Sequence, residues 1–182
     1  MDKNVKAIHA ANALYVEGFG DKGSLSHHPA RNIAIVTCMD CRLDPAKFAG
    51  LAKGDAHVIR NAGGRVTDDA IRSLLISYKM LGTKEWFIIQ HTHCGMMGFT
   101  NEEARELFAS DAHVHGIDPT EAHYIDFMPI NGSLEENLVR DVRRLRTHPL
   151  VPSSIVIHGY IYDVHTGRLI VVEEAEKIGT AK

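Results

Sequence analysis

Ile33-Ala34-Ile35-Val36-Thr37-Cys38-Met39-Asp40-Cys41-Arg42 is a short apolar run that breaks at once into cysteine, aspartate and arginine. A continuous apolar stretch of about four to eight residues bounded by a polar turn is what a strand buried on both faces requires. A second run of the same kind, Trp86 to Ile89, breaks into His91-Thr92-His93-Cys94-Gly95. Each fragment places soft metal ligands where a buried strand ends. Thiolate and imidazole are ligand types that Zn²⁺ prefers, and one Cys from the first fragment with a His and a Cys from the second makes three. Three protein ligands leave a tetrahedral ion one open position, the mark of a catalytic site rather than a structural clip.

Outward from these two strands the pattern alternates. Asp44-Pro45 is a helix start, because Asp caps free amides and Pro tolerates the first position, and Ala56 to Arg60 reads as a second strand. Thr67 with Asp68 and Asp69 opens a helix whose Ile71, Leu74, Leu75 and Tyr78 share one face, closed by Gly82. Glu85 to Gln90 is the third strand. Thr100 with Glu103, and Ser133 with Glu136, have the spacing of a capping box and predict two more helices, the second ending before Pro149. Ser154 to Asp163 and Arg168 to Glu173 read as strands around a hairpin turn at His165-Thr166-Gly167. At the amino end, Asn4 to Glu17 carries Val5, Ile8, Ala11, Leu14 and Tyr15 at helical spacing and is stopped by Gly18 and Gly20. This arm is expected to pack on something outside itself, with Asp21 to Arg31 as its connector.

The expected fold is therefore one α/β domain over residues 1–182, with 1–31 as a helical arm and connector. Its central sheet is mainly parallel, about four parallel strands plus an antiparallel edge strand, flanked by helices. Cys38 then stands at the carboxyl end of the first strand and His91 at that of the third, the side on which ligands gather when two such strands are neighbours at a switch point.

With 182 residues, 45% hydrophobic and 24% charged, the chain can bury one substantial core, and no second domain is called for. Three cysteines without a secretory context argue for free thiols in a reducing compartment, the cytoplasm. Early charges at Asp2, Lys3 and Lys6 and the shortness of every apolar run argue against a signal peptide or a membrane span. A formal net charge of −3 leaves no general footprint for nucleic acid.

The residues alone leave rival readings open. Cys38 and Cys94 could each be small buried hydrophobes. Cys38 and Cys41 form a CxxC after a strand, the pattern of a thiol redox pair, though that gives no role to His91, Cys94, Asp40 or Arg42. A closed structural zinc on Cys38, Cys41, His91 and Cys94 would make a non-catalytic interaction module.

Taken in order, Cys38-x-Asp40-x-Arg42, then Arg60-Asn61-Ala62-Gly63-Gly64, then His91-x-x-Cys94-Gly95 resembles the β-class carbonic anhydrase family. The chain is similar to its short, compact branch, which also contains hydrolases of carbonyl sulfide and carbon disulfide. The resemblance implies one zinc ion per chain held by Cys38, His91 and Cys94, with Asp40 and Arg42 as a catalytic pair. It also implies a sheet with the first and third strands adjacent, and a homodimer or higher homo-oligomer whose amino-terminal helix embraces the partner. Cys41 stands where many members carry Ser or Ala, and His93 where many carry Asp.

The expected reaction is reversible hydration of CO₂ to bicarbonate by a zinc hydroxide, with hydrolysis of carbonyl sulfide or carbon disulfide as the alternative. Two thiolates acidify bound water less than neutral imidazoles do, so Asp40, held off the metal by Arg42, is expected to compensate. Backbone amides around Gly63, Gly64 or Gly95 are the expected oxyanion donors, and His93 the proton relay. Met39, Met96, Met97 and Phe99 are candidate walls for the substrate. The remaining histidines, His113 and His115 among them, are expected on the surface or in structural roles.

Overall fold

The structure, a computed structural model, describes residues 2–116 and 118–182, with all their side chains except those of 111–115. His113 and His115 thus lie outside the described side chains. Five strands, β1 (Ile33–Cys38), β2 (Ala56–Asn61), β3 (Glu85–His91), β4 (Val156–Tyr162) and β5 (Leu169–Val171), form one sheet in the order β2-β1-β3-β4-β5. The first four are parallel and β5 runs antiparallel to β4 at the edge, as the alternating sequence pattern requires.

Among the described residues six α-helices accompany the sheet: α1 (Lys3–Glu17), α2 (Pro45–Phe48), α3 (Asp68–Lys79), α4 (Asn101–His115), α5 (Leu134–Arg146) and α6 (Glu173–Gly179). The caps read from sequence are present. Thr67 Oγ1 accepts from Ala70 N at 3.1 Å, and Ser133 Oγ accepts from Glu136 N at 3.0 Å. Thr100 and Glu103 make the full reciprocal box, Glu103 N to Thr100 Oγ1 at 3.2 Å and Thr100 N to Glu103 Oε2 at 2.7 Å. Asp44 caps only a single turn, because Ala49 and Gly50 follow at once and Gly50 takes a positive φ of 60°.

The helices are not shared evenly between the two faces. Ala34, Val36, Cys38, Trp86, Ile88, Ile157 and Ile161 point toward α3, α5 and α6, which supply Ile71, Leu74, Leu138, Val142, Leu145 and Ala175 to one continuous core. The opposite face, with Ile33, Ile35, Phe87, Ile89 and Tyr160, is covered mainly by Phe48 and Leu51 of the α2 region, leaving a cavity of about 300 Å³. Helix α1 buries none of its residues, and Ile8, Leu14 and Val16 are each more than 60% exposed. Parallel sheets are normally buried on both faces, so this chain by itself leaves one face incomplete.

Helix α6 follows from packing that the sequence pattern did not reveal, since only two of residues 173–179 are buried, Ala175 and Gly179, and Ile178 packs on the core half-buried. A Cβ on Gly159 would overlap Ala175, and one on Gly179 would overlap the Ile157 carbonyl. The helix therefore lies against β4 at a distance that only these small residues permit. Gly179→Ala should push α6 outward and destabilise the protein by about 1–3 kcal/mol, the usual cost of overpacking. A urea midpoint equal to that of the wild type would contradict this contact.

Candidate metal centre

From β1 the chain crosses to β2 on one side and returns to β3 on the other, so the carboxyl ends of β1 and β3 flank a topological switch point. Cys38 is the last residue of β1 and His91 the last of β3. Beyond His91 the chain reverses through His93, whose φ of 52° lies in the left-handed region that a non-glycine residue seldom adopts. That reversal turns Cys94 back toward Cys38, and the two sulfurs stand 3.9 Å apart. One ligand atom each from Cys38, His91 and Cys94, all three buried, lies within 4.8 Å of the others. Cys41 is exposed and outside this group.

Glycine makes the floor of the site possible. Gly64, at φ 61°, follows β2 and passes so close beneath the two strand ends that a Cβ would meet Cys38 N at 2.9 Å and Ile89 O at 3.0 Å.

Asp40 and Arg42 form a two-point fork, Nε to Oδ1 at 2.9 Å and Nη2 to Oδ2 at 2.6 Å, and Arg42 N adds a third bond to Oδ1 at 2.9 Å. The same Nη2 also reaches His93 O at 3.0 Å, tying the pair to the turn after β3. Asp40 Oδ2 lies 3.8 Å from His91 Nε2, so the carboxylate faces the point on which the three ligands converge. The Arg42 guanidinium holds the Asp40 carboxyl well below the usual carboxylate range, against a smaller opposing effect of burial. A folded-state value below the unfolded one means that the pair stabilises the fold above the ordinary carboxylate pKa and loses that contribution only as pH falls below it. The Asp40 carboxyl carbon resonance should accordingly stay flat from about pH 8 down to about pH 4, and a titration step inside that window would contradict the fork.

The model of the carbonic anhydrase family matches residues 33–169 of this chain. The chain belongs to the β-carbonic anhydrase family. β-Carbonic anhydrase 1 of Mycobacterium tuberculosis is 41% identical over 162 residues, spanning 88% of this chain and 92% of its own. A carbon disulfide hydrolase of Acidianus sp. is 39% identical over 159 residues, 76% of each chain. The solved carbonic anhydrase from Glaciozyma antarctica superimposes with a TM-score of 0.85 at 43% identity, covering 94% of this chain and 99% of that one.

As in other metal centres, the fit of a β-carbonic anhydrase site to zinc is read from its donors. His91 Nδ1 lies 2.9 Å from the Thr92 carbonyl, an arrangement that makes Nδ1–H the donor and leaves a bare lone pair on Nε2. That Nε2 is buried and has no hydrogen-bond partner, an arrangement that costs about 1–3 kcal/mol unless a cation accepts the lone pair. The two sulfurs tell the same story. The contact from Cys94 holds the Cys38 thiol down, while the same contact and then burial push Cys94 up, so without a cation the pair gives up one proton at the other's expense. A divalent ion removes that conflict by favouring both thiolates. The donor set therefore suits zinc.

Of the other residues read from sequence, Gly63 and Gly64 are buried beneath Cys38, whereas Gly95 is exposed and opens a short turn, Gly95–Met97. His93 is exposed, with its ring edge-on to His165 at 4.7 Å. Met39 and Met97 are exposed, whereas Met96 packs on the core.

Sequence reasoning missed a buried ion pair behind the site. Arg65 donates to both oxygens of Asp141, Nε to Oδ2 at 2.7 Å and Nη2 to Oδ1 at 3.1 Å, and Gln90 Nε2 adds a bond to Oδ2 at 3.0 Å. A signal was present. Asp141 occupies the face of α5 that also carries Leu134, Leu138, Val142 and Leu145, and Gln90 interrupts an apolar strand. Polar residues at core positions imply partners.

Proposed function

We propose that this protein hydrates CO₂ reversibly to bicarbonate, using one zinc ion per chain held by Cys38, His91 and Cys94. The observation that carries the reading is the bare, buried Nε2 of His91, converging with two thiols and faced at 3.8 Å by a clamped carboxylate. When bound, zinc would supply the Lewis acidity that brings the ionisation of water toward neutral pH.

The protein's own groups do the rest. Asp40 accepts a hydrogen bond from the attacking water and orients it, and Arg42 keeps that carboxylate ionised and off the metal position. Gly95, exposed next to Cys94, is the amide we assign to meet an oxyanion. Gly64 serves the approach of the turn to β1, and Gly63 that of the turn to Met96 and Arg65. His93, exposed beside the site, is the group we assign to hand the released proton to solvent.

Asp40→Asn should keep one metal per chain and lower turnover about 10²- to 10⁴-fold, the span typical of a lost acid–base group. Full activity in the metal-loaded variant would remove Asp40 from the mechanism. Carbon disulfide hydrolase relatives favour a second reading of the same site, in which a sulfur-bearing substrate, carbonyl sulfide or carbon disulfide, takes the place of CO₂. Parallel turnover measurements on CO₂, carbonyl sulfide and carbon disulfide with one zinc-loaded preparation decide between them. Activity on none defeats both.

We further propose that a second copy of the chain completes the molecule. The half-covered sheet face and a fifteen-residue helix with no buried residue are both unsatisfied in one chain. Residues 1–31 then act as the arm that reaches the partner, and the remainder as the single catalytic domain. Two ligand thiols that must stay reduced favour a reducing compartment, and the cytoplasm is the one we propose. No described helix is long and apolar enough to cross a membrane.

A further inference from the structure

Arg60 stands on β2 opposite Thr37, at the level where β1 ends. Among the described residues its guanidinium forms no ion pair. It spans two main-chain carbonyls instead, Nε to Cys38 O at 3.0 Å and Nη2 to Asp40 O at 2.7 Å. These carbonyls bracket Met39, whose side chain is 65% exposed and offers the turn no packing anchor. Asp40 is thus gripped at both ends, its carboxylate by Arg42 and its carbonyl by Arg60.

The two grips differ in what they refer to. Arg42 lies two residues beyond Asp40 on the same turn, so its fork moves with the residue it holds, and its link to the rest of the site is the bond to His93 O. Arg60 belongs to a separate strand, and with the bond from Met39 N to Asn61 O at 2.8 Å it ties the turn to the sheet. Among the described residues no carboxylate neutralises this guanidinium, and its donors are spent on uncharged carbonyls. Its planar fork suits this use, because two donors in fixed relation can span carbonyls two residues apart and a single ammonium cannot.

We infer that Arg60 is a positioning residue for the reaction: its fork on Cys38 O and Asp40 O sets where the Asp40 carboxylate stands relative to the metal position. The inference rests on the function proposed above. At 3.8 Å from His91 Nε2, Asp40 Oδ2 is close enough that a small displacement of the turn would carry the carboxylate onto the metal position or away from the reacting water.

Arg60→Ala and Arg60→Lys, each loaded with zinc and separately with cobalt(II), test it. In Arg60→Ala we expect one metal per chain, KM within about twofold of wild type and kcat lowered by about 10- to 100-fold, the range for loss of a group that orients a metal site from outside it. The visible spectrum of the cobalt protein should change as Asp40 shifts. Guanidinium ion, added well below denaturing concentrations, should restore part of kcat to Arg60→Ala and none to Asp40→Asn. Arg60→Lys, which keeps charge and bulk, should fall between wild type and alanine, and it carries the test if the alanine variant does not fold. Wild-type kcat with a wild-type cobalt spectrum overturns the inference. So does a loss that follows a lowered melting temperature and does not respond to guanidinium. Wild-type protein that binds metal and hydrates no CO₂ defeats the functional reading instead, and the cobalt spectrum of the Arg60 variants still decides the positioning role.

Discussion

Cys94→Ser should empty the metal centre and abolish turnover, while Cys41→Ser should leave both intact. The three convergent donors are Cys38, His91 and Cys94, and removing the third leaves an imidazole and one thiolate to hold the ion. Serine does not substitute, because its hydroxyl stays protonated where a thiol gives a soft anionic ligand. Cys41, three residues from Cys38, is solvent-exposed and offers no donor to the group. Loss of an outer partner of a metal ligand costs about 10- to 100-fold in affinity or activity, so loss of a ligand itself should exceed that span. Metal analysis of the two purified variants, with CO₂ hydration measured on the same samples, checks the assignment. One metal per chain in Cys94→Ser, or none in Cys41→Ser, would overturn it. The second outcome would favour the closed four-ligand site.

Asp141→Ala should destabilise the fold by about 3–5 kcal/mol without touching any metal ligand, the usual result of breaking a buried ion pair by removing one partner. Asp141 and Arg65 expose only 2% and 4% of their side chains. Alanine at 141 leaves a buried guanidinium held, among the described residues, by the carbonyls of Met128 and Pro129 alone. Gln90 Nε2 and Val66 N lose an acceptor in the same step. For a chain of this size the loss corresponds to about 6–20 °C in melting temperature. The double variant Arg65→Met with Asp141→Leu should recover part of it, because an apolar pair of similar volume avoids the stranded charge. A single-variant loss below about 1 kcal/mol would show that the pair is not desolvated as its burial implies.

The two predictions differ in how far each was legible in the amino-acid sequence. The ligands were visible because metal chemistry restricts the residue types and strand ends restrict their places. Cys38 and His91 each close an apolar run, and that local pattern survives folding unchanged. The ion pair was less visible because its partners lie 76 residues apart and each resembles an ordinary surface charge when read locally. Only the docking of α5 on β3 and β4 brings Asp141 to Arg65 and Gln90. Helix α6 escaped for a related reason, since what fixes it is the absence of side-chain atoms at Gly159 and Gly179 rather than an apolar stripe.

Local chemistry in the sequence was enough to determine the strands and most helices, the caps at Thr67, Thr100 and Ser133, and the residue types able to hold a metal. Each depends on neighbours within a turn or two of chain, where hydrogen-bonding and periodicity act directly. Tertiary structure alone decided that Cys94 turns back through the left-handed His93 to stand 3.9 Å from Cys38, and that Arg60 reaches across from β2 to hold the carbonyl of Asp40. These are relations between segments distant in sequence, set by which faces can be buried together, and no local preference of the chain encodes them.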